Sequence, residues 1–281
     1  TTQPLPDDAL VAPPLSRLGA AGLPLRPALL PTLEPQTINL WLGRAKAGAS
    51  SGLHHDYHDN LYCLLRGAKR FRLFSPDSAP HMHTHGTLAR VHPNGRINYV
   101  GAPTAADGRT AEDDLRFAAR RARATQRRAE RALEAAETAE ASGSGTAAAV
   151  AAAEEDLDEA MDAAVGAASD LRRCARRERA AAAAAPDAPP DSFSRADLSR
   201  PPEEVRARWP RIARACEASC EVNAGEMLYL PCGWFHDVTS FGAHCAVNYW
   251  FQPPDRGDFR RPYTAAAFWR DEGRRKRRRV A

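Results

Sequence analysis

The chain holds 9 Phe, 5 Trp and 6 Tyr, and every one of them except Phe117 lies outside residues 104–190. A stretch of that length with so few large side chains cannot build a core of its own. The core must come from the two flanks, brought together across the gap. Inside the gap, residues 110–140 and 147–185 are Ala/Arg/Glu sequence of high helix propensity. Ser142-Gly143-Ser144-Gly145 separates them. This predicts an antiparallel helical hairpin with arms of roughly 45 Å. Leu157, Met161 and Val165, at i, i+4 and i+8, mark one helix face. The hairpin reads as a solvated insertion; a docking arm for a partner is the sharper alternative.

The flanks have the opposite character. TINLWLG from Thr37, LYCLLRG, RFRLFSP and VHPNGRINYVG are short runs of β-formers and aromatics punctuated by Gly and Pro. Pro93-Asn94-Gly95 reads as a turn. Strand signals return after Trp209: CEVNAGEMLYLP is strand, tight turn, strand, and HCAVNYWFQPP is a strand closed by Pro253-Pro254. The organisation is then a lead-in over 1–35, a first β part over 36–103, the helical insertion over 104–190, a second β part over 191–255 and a C-terminal segment over 256–281. That segment ends in six consecutive basic residues, Arg274 to Arg279. They repel one another and are expected to stay solvated. Localisation or contact with an acidic surface, nucleic acid included, is their functional reading; an arginine-rich disordered tail is the bland one.

Composition excludes some classes. No run of 18 apolar residues occurs, so no membrane helix is expected. No apolar leader is visible, and the six cysteines contain no CxxC pair, so they read as free thiols of a cytoplasmic or nuclear protein. Cys216, Cys220 and Cys232 are poorly spaced for a zinc site. The chain opens at Thr1 rather than Met, which reads as a shortened N-terminus.

The densest chemistry is Gly52-Leu53-His54-His55-Asp56-Tyr57-His58-Asp59-Asn60. In extended chain, i and i+2 point to one face, so His54 and Asp56 can reach one metal from one edge. A third ligand must come from another strand, and His236, directly after the strand Met227–Leu230, is the candidate. Two His and one carboxylate make a facial triad, the set that leaves positions open on Fe(II). The competing reading of His54 and Asp56 is a surface hydrogen-bonded pair. The competing metal site is His81, His83 and His85, which alternate at period 2; a polar loop is their simpler explanation. Lys69 lies between two apolar runs. Aimed inward it needs a counter-anion, which the distal carboxylate of a chelating dicarboxylate would provide. A solvated lysine at a hairpin turn is the alternative.

These segments together resemble the JmjC family of Fe(II)- and 2-oxoglutarate-dependent oxygenases, closest to the small JmjC-only lysyl hydroxylases. The resemblance is carried by INLWLG (38–43), SSGLHHDYHDNLYCLLRGAKRFRLFSP (50–76), NAGEMLYLPCGWFHDV (223–238) and CAVNYWF (245–251). It implies a mainly β fold: a double-stranded β-helix (jelly roll, cupin-like) interrupted by the helical hairpin. It implies His54, Asp56 and His236 as iron ligands and catalytic centre. Lys69 matches the lysine that pairs with the distal carboxylate of 2-oxoglutarate. Ser51, Asn60 and Asn248 match further co-substrate contacts, and Trp234 would stand at the pocket mouth. The implied activity is side-chain hydroxylation of a protein or peptide by dioxygen, coupled to oxidative decarboxylation of 2-oxoglutarate to succinate and CO2. Histone N-methyl-lysine demethylation, or a non-catalytic binding module on the same fold, are the alternatives. The long insertion, and the lack of matching upstream strands in 1–35, depart from the family pattern.

Overall fold

The computed structural model describes Arg17, Gly19, residues 22–182 and residues 189–280; most of the lead-in and the end of the alanine run before Pro186 lie outside the described residues. The strands and helices run in the order β1 (Pro35–Ser50), β2 (His54–His55), β3 (Asp59–Phe74), β4 (Leu88–Val91), β5 (Ile97–Tyr99), α1 (Ala111–Ala141), α2 (Ala147–Ala182), α3 (Pro202–Arg208), β6 (Glu217–Asn223), β7 (Met227–Leu230), β8 (Phe235–Phe251) and α4 (Ala266–Val280). Single 3₁₀ turns occupy Pro76–His81 and Pro210–Arg214. The chain divides into two compact units, residues 1–108 with 189–281, and Arg109–Ala188.

In the first unit, both flanks enter one antiparallel sheet ordered β1-β8-β3-β6, with β2 added on β8 and β7 on β3. β3 holds the sheet together: it pairs with β8 from Asp59 to Phe74, and on its other side with β7 and then β6. β1, β3 and β8 are 16, 16 and 17 residues long, far beyond a typical strand. Bulges break the register between Ala45 and Ala49 and between Leu64 and Ala68. The bulged strands bend there and curl the sheet into a double-stranded β-helix, the cupin-like jelly roll. Gly67 is required at one bend. Its φ is +88°, and a Cβ would stand 2.7 Å from the Ala243 carbonyl oxygen. LYCLLRG and RFRLFSP, which read as two runs, are therefore one strand bent at Gly67. Lys69 lies within that strand and is buried, not exposed at a hairpin turn.

Two apolar clusters fill the unit. Tyr62, Leu64, Phe71, Val222 and Ala246 pack inside the roll, with Trp41, Leu73 and Val238 against them. Leu53, Phe74, Met82, Ile97, Tyr99, Trp209 and Phe235 form the second, under the β4–β5 hairpin and the 3₁₀ turns. At the C-terminus, α4 buries Phe268 and Trp269, and the Trp269 indole donates to Asp107 at 2.8 Å. The basic block departs from expectation. It is helical through Val280, and Lys276 Nζ turns inward to donate to the Pro35 carbonyl at 2.7 Å, 3.9 Å from Glu34. One counter-charge on the strand edge outweighs the repulsion among neighbouring cations for this residue.

The second unit is the helical hairpin. Thr110 caps α1 in a reciprocal capping box with Asp113. Among the described residues the hairpin buries Ala119, Ala160 and Ala164, while Met161 and Val165 are exposed and Leu157 is half-buried. The large side chains of the predicted face are thus not the seam. Helices this rich in alanine approach most closely along their small residues, which leaves the long side chains outside.

Candidate metal centre

His54 lies in β2 and pairs directly with His236 at the start of β8, while Asp56 follows two residues on. The Asp56 carbonyl accepts the Gly233 N–H at 2.9 Å, which ties the segment before β8 to the acidic ligand. Gly233 must be glycine: its φ is +75°, and a Cβ would stand 1.9 Å from the Gly95 carbonyl oxygen. One ligand atom from each of His54, Asp56 and His236 lies within 4.8 Å of the other two. No other group of His, Cys, Asp and Glu comes together in this way among the described residues. His81 ends a 3₁₀ turn and His83 and His85 follow it, with His83 at φ +48°, so the alternation that would align them on a strand is absent. Cys216, Cys220 and Cys232 do not gather either, and all six cysteines are free.

The tautomers of both histidines follow from their partners. His54 Nδ1 faces the Gly52 carbonyl at 2.9 Å, and His236 Nδ1 faces the Trp234 carbonyl at 2.9 Å. A carbonyl only accepts, so each Nδ1 carries a proton, which leaves Nε2 as the nitrogen each ring can offer a metal. His236 Nε2 lies 3.7 Å from an Asp56 carboxylate oxygen. Burial holds His236 well below its ordinary pKa, and repulsion from His54 adds to this. Burial also pushes Asp56 up, while His54 pulls it down. Two imidazoles and one desolvated carboxylate are the donor set a divalent cation needs. The cation's charge repays the desolvation that the bare site bears.

The same interior carries a polar set. Alternation puts Val238 and Ser240 on the His236 face of β8, opposite Phe71 and Lys69 of β3. The Asn248 amide donates to Asn60 Oδ1 at 2.9 Å, and Trp41 Nε1 donates to Asn248 Oδ1 at 2.8 Å. Asn39, Asn248 and Tyr62 stand in one row across β1, β8 and β3. Asn39 Nδ2 and the Tyr62 hydroxyl are buried without a partner. Lys69 is 7% exposed, and its ammonium lies over the Tyr62 ring, 5.6 Å from the centroid. Burial holds its pKa down. Unmet donors beside a buried cation fit an anionic oxygen ligand. Ser51 is placed elsewhere. It is exposed, and its hydroxyl accepts the Val238 N–H and donates to Gly52 O.

Sequence reasoning missed three participants. Asn39 and Trp41 share a face of INLWLG, and that i, i+2 spacing was the available signal. Phe193 had none. It lies just after the helical insertion, bridges to His54 and stacks on the His54 ring at 4.6 Å with 7° between planes.

The chain is similar to known proteins over most of its length. A family model described as a cupin-like domain matches residues 11–257. JmjC domain-containing protein 4 of Schizosaccharomyces pombe is 32% identical over 289 residues, 87% of this chain and 60% of that protein. The bifunctional peptidase and (3S)-lysyl hydroxylase JMJD7 of Homo sapiens is 49% identical over 45 residues, 16% of this chain and 14% of that protein. The putative JmjC domain-containing protein L887 of Acanthamoeba polyphaga mimivirus is 35% identical over 54 residues. The chain thus spans less than two thirds of the length of each of these relatives.

Proposed function

The chain belongs to the cupin-like family of JmjC-domain proteins, and on that premise we propose that it is an Fe(II)- and 2-oxoglutarate-dependent protein hydroxylase acting on lysine. The observation that carries the reading is the convergence of His54, Asp56 and His236 on one point, with both Nε2 atoms free. Bound iron with 2-oxoglutarate supplies the oxidising power, drawn from dioxygen and the decarboxylation of the co-substrate to succinate and CO2.

The chain's own residues have defined tasks. His54, Asp56 and His236 would hold the metal, a two-imidazole, one-carboxylate set of the kind that suits Fe(II). The carbonyls of Gly52 and Trp234 keep the two imidazoles in the ligating tautomer. Lys69 pairs with the distal carboxylate of 2-oxoglutarate, with the Tyr62 hydroxyl and the Asn39 amide as further donors. Trp41 and Asn60 fix the Asn248 amide between them, so its remaining donor is already oriented. The apolar wall of Phe71, Leu73, Val238 and Ala246 excludes water. The lysyl specificity rests on the human relative's printed activity and the short segment it shares with this chain.

The test is succinate release from 2-oxoglutarate by the full chain with Fe(II), together with mass spectrometry of lysine-containing peptides. A retained gain of about 16 Da, abolished by Asp56→Ala, is expected from insertion of one oxygen atom. Formaldehyde release from N-methylated peptides would instead mark a demethylase. Absence of metal-dependent succinate would mark a binding module.

A further inference from the structure

The segment that carries Phe193 has a second, unassigned feature. It runs between His54 on one side and residues 83–85 on the other. Phe193 bridges to His54, its carbonyl accepts the His85 N–H at 2.8 Å, and Arg195 N–H donates to the His83 carbonyl at 2.9 Å. Alternation along this extended piece sends Ser194 to the opposite face, where its hydroxyl donates to the Met82 carbonyl. Phe193 and Arg195 therefore share a face, and Phe193 lies flat on a ligand of the metal centre. Arg195 stands two residues, about 7 Å, further along that lip.

A second arginine arrives from the Pro210–Arg214 turn. Arg211 Nη2 lies 3.4 Å from His83 Nδ1. A guanidinium only donates, so Nδ1 accepts and the ring proton belongs to Nε2. That Nε2 is buried and has no acceptor; His81 Nδ1, close by, is also buried without a partner. The charges acting on His83 come from Arg211, Arg195 and His81, all of one sign. Of the nearby acids, Asp197 is engaged with Ser199 and Arg200 and Glu204 with Arg200, while the charge of Asp191 acts on Tyr57 and Tyr99. The lip thus presents two exposed guanidinium groups beside a buried N–H that has no acceptor, and neither arginine forms an ion pair among the described residues.

We infer that Arg195 and Arg211, the latter held by His83, form a receiving site for an acidic side chain, Asp or Glu, of the peptide substrate, a few residues from the side chain presented to the metal. The inference rests on the peptide-hydroxylase reading above and adds the substrate's charge pattern. Two arginines can grip carboxylate oxygens bidentately, and His83 Nδ1 accepts from Arg211 and so orients its guanidinium. A nucleic acid is the poorer fit. Binding along a phosphate backbone draws on many cations, and the lip offers two permanent ones.

The test measures binding and turnover separately. Fluorescence anisotropy on the full chain with Fe(II) and 2-oxoglutarate, under nitrogen, compares a labelled lysine peptide flanked by Asp and Glu with its Asn/Gln counterpart. The acidic peptide is expected to bind about tenfold tighter, with the margin shrinking as salt is raised. Arg195→Gln with Arg211→Gln should erase the margin, while Arg214→Gln, on the same turn and exposed, should leave it intact. Both altered arginines are exposed, so folding is not at stake, and a thermal melt checks that. Equal affinity for the two peptides, a margin that survives the double substitution, or preference for a labelled oligonucleotide would each overturn the inference. Succinate release without peptide is followed in parallel. Release without an acidic preference defeats the inference alone, and an acidic preference without release defeats the hydroxylase reading alone.

Discussion

Replacing Lys69 by methionine separates two roles that a simple loss of function would confound. Lys69 is 7% exposed on β3, flanked across the sheet by Val222 and Ser240, with the Tyr62 ring as its charge partner. A cation over a tyrosine ring recovers about 1 kcal/mol. The desolvation cost of a buried ion after relaxation is several kcal/mol. The ammonium is therefore a net burden to the protein without co-substrate. Methionine fills a similar stem volume and removes the charge. Lys69→Met should stabilise the chain free of co-substrate by about 1–3 kcal/mol, raising its melting temperature by about 2–4 °C for each kcal/mol in a domain of this size. The same change should weaken 2-oxoglutarate binding by about 2–5 kcal/mol, roughly thirtyfold to a few thousandfold. Calorimetry of the Fe(II) form under nitrogen reads the second effect, and differential scanning calorimetry reads the first. Destabilisation by Lys69→Met would show that the ammonium is compensated in the bare protein. Unchanged affinity would remove Lys69 from the co-substrate site. Either result refutes the reasoning from burial to function.

Other consequences are equally direct. Asp56→Ala should abolish divalent-metal binding while raising stability without metal, because a desolvated carboxylate leaves; metal titration and a melt check the two halves. Gly233→Ala should cost more than about 3 kcal/mol, since the new methyl would overlap the Gly95 carbonyl in a strained backbone region; urea unfolding measures it. Lys276→Ala should destabilise the chain by about 1–2 kcal/mol through loss of the Pro35 hydrogen bond and the counter-charge to Glu34; a stability loss near zero would return the basic block to solvent. His55, held neutral by burial with a pKa lowered to about 4, accepts from Tyr99 in its neutral form. Its folded pKa lies below the unfolded 6.5, so its contribution is complete above pH 6.5 and is lost as pH falls towards 4. That is up to about 3 kcal/mol, and His55→Gln should flatten the metal-free pH–stability profile in this window.

The sequence by itself indicated which residues could come together as a metal centre and where the core could not lie. His54-x-Asp56 states its geometry locally, because alternation in extended chain is a property of the backbone and needs no partner. The aromatic desert of residues 104–190 likewise excluded a core there, and the helical hairpin follows from local propensity. Tertiary structure decided what depends on two distant segments meeting. LYCLLRG and RFRLFSP look like two strands until β8 lies alongside and Gly67 is seen to bend one. Lys276 looks like one of six solvated cations until Glu34 and Pro35, some 240 residues away in sequence, are brought beneath it. Ser51 has the spacing of a co-substrate contact, yet Val238 takes its hydroxyl, because β8 lies within reach of it. Phe193 on the His54 ring, and Arg195 beside it, carry no local pattern at all. Their place on the lip is set by backbone pairing between segments that the helical insertion separates in sequence, and pairing of that kind is written in no single stretch of chain.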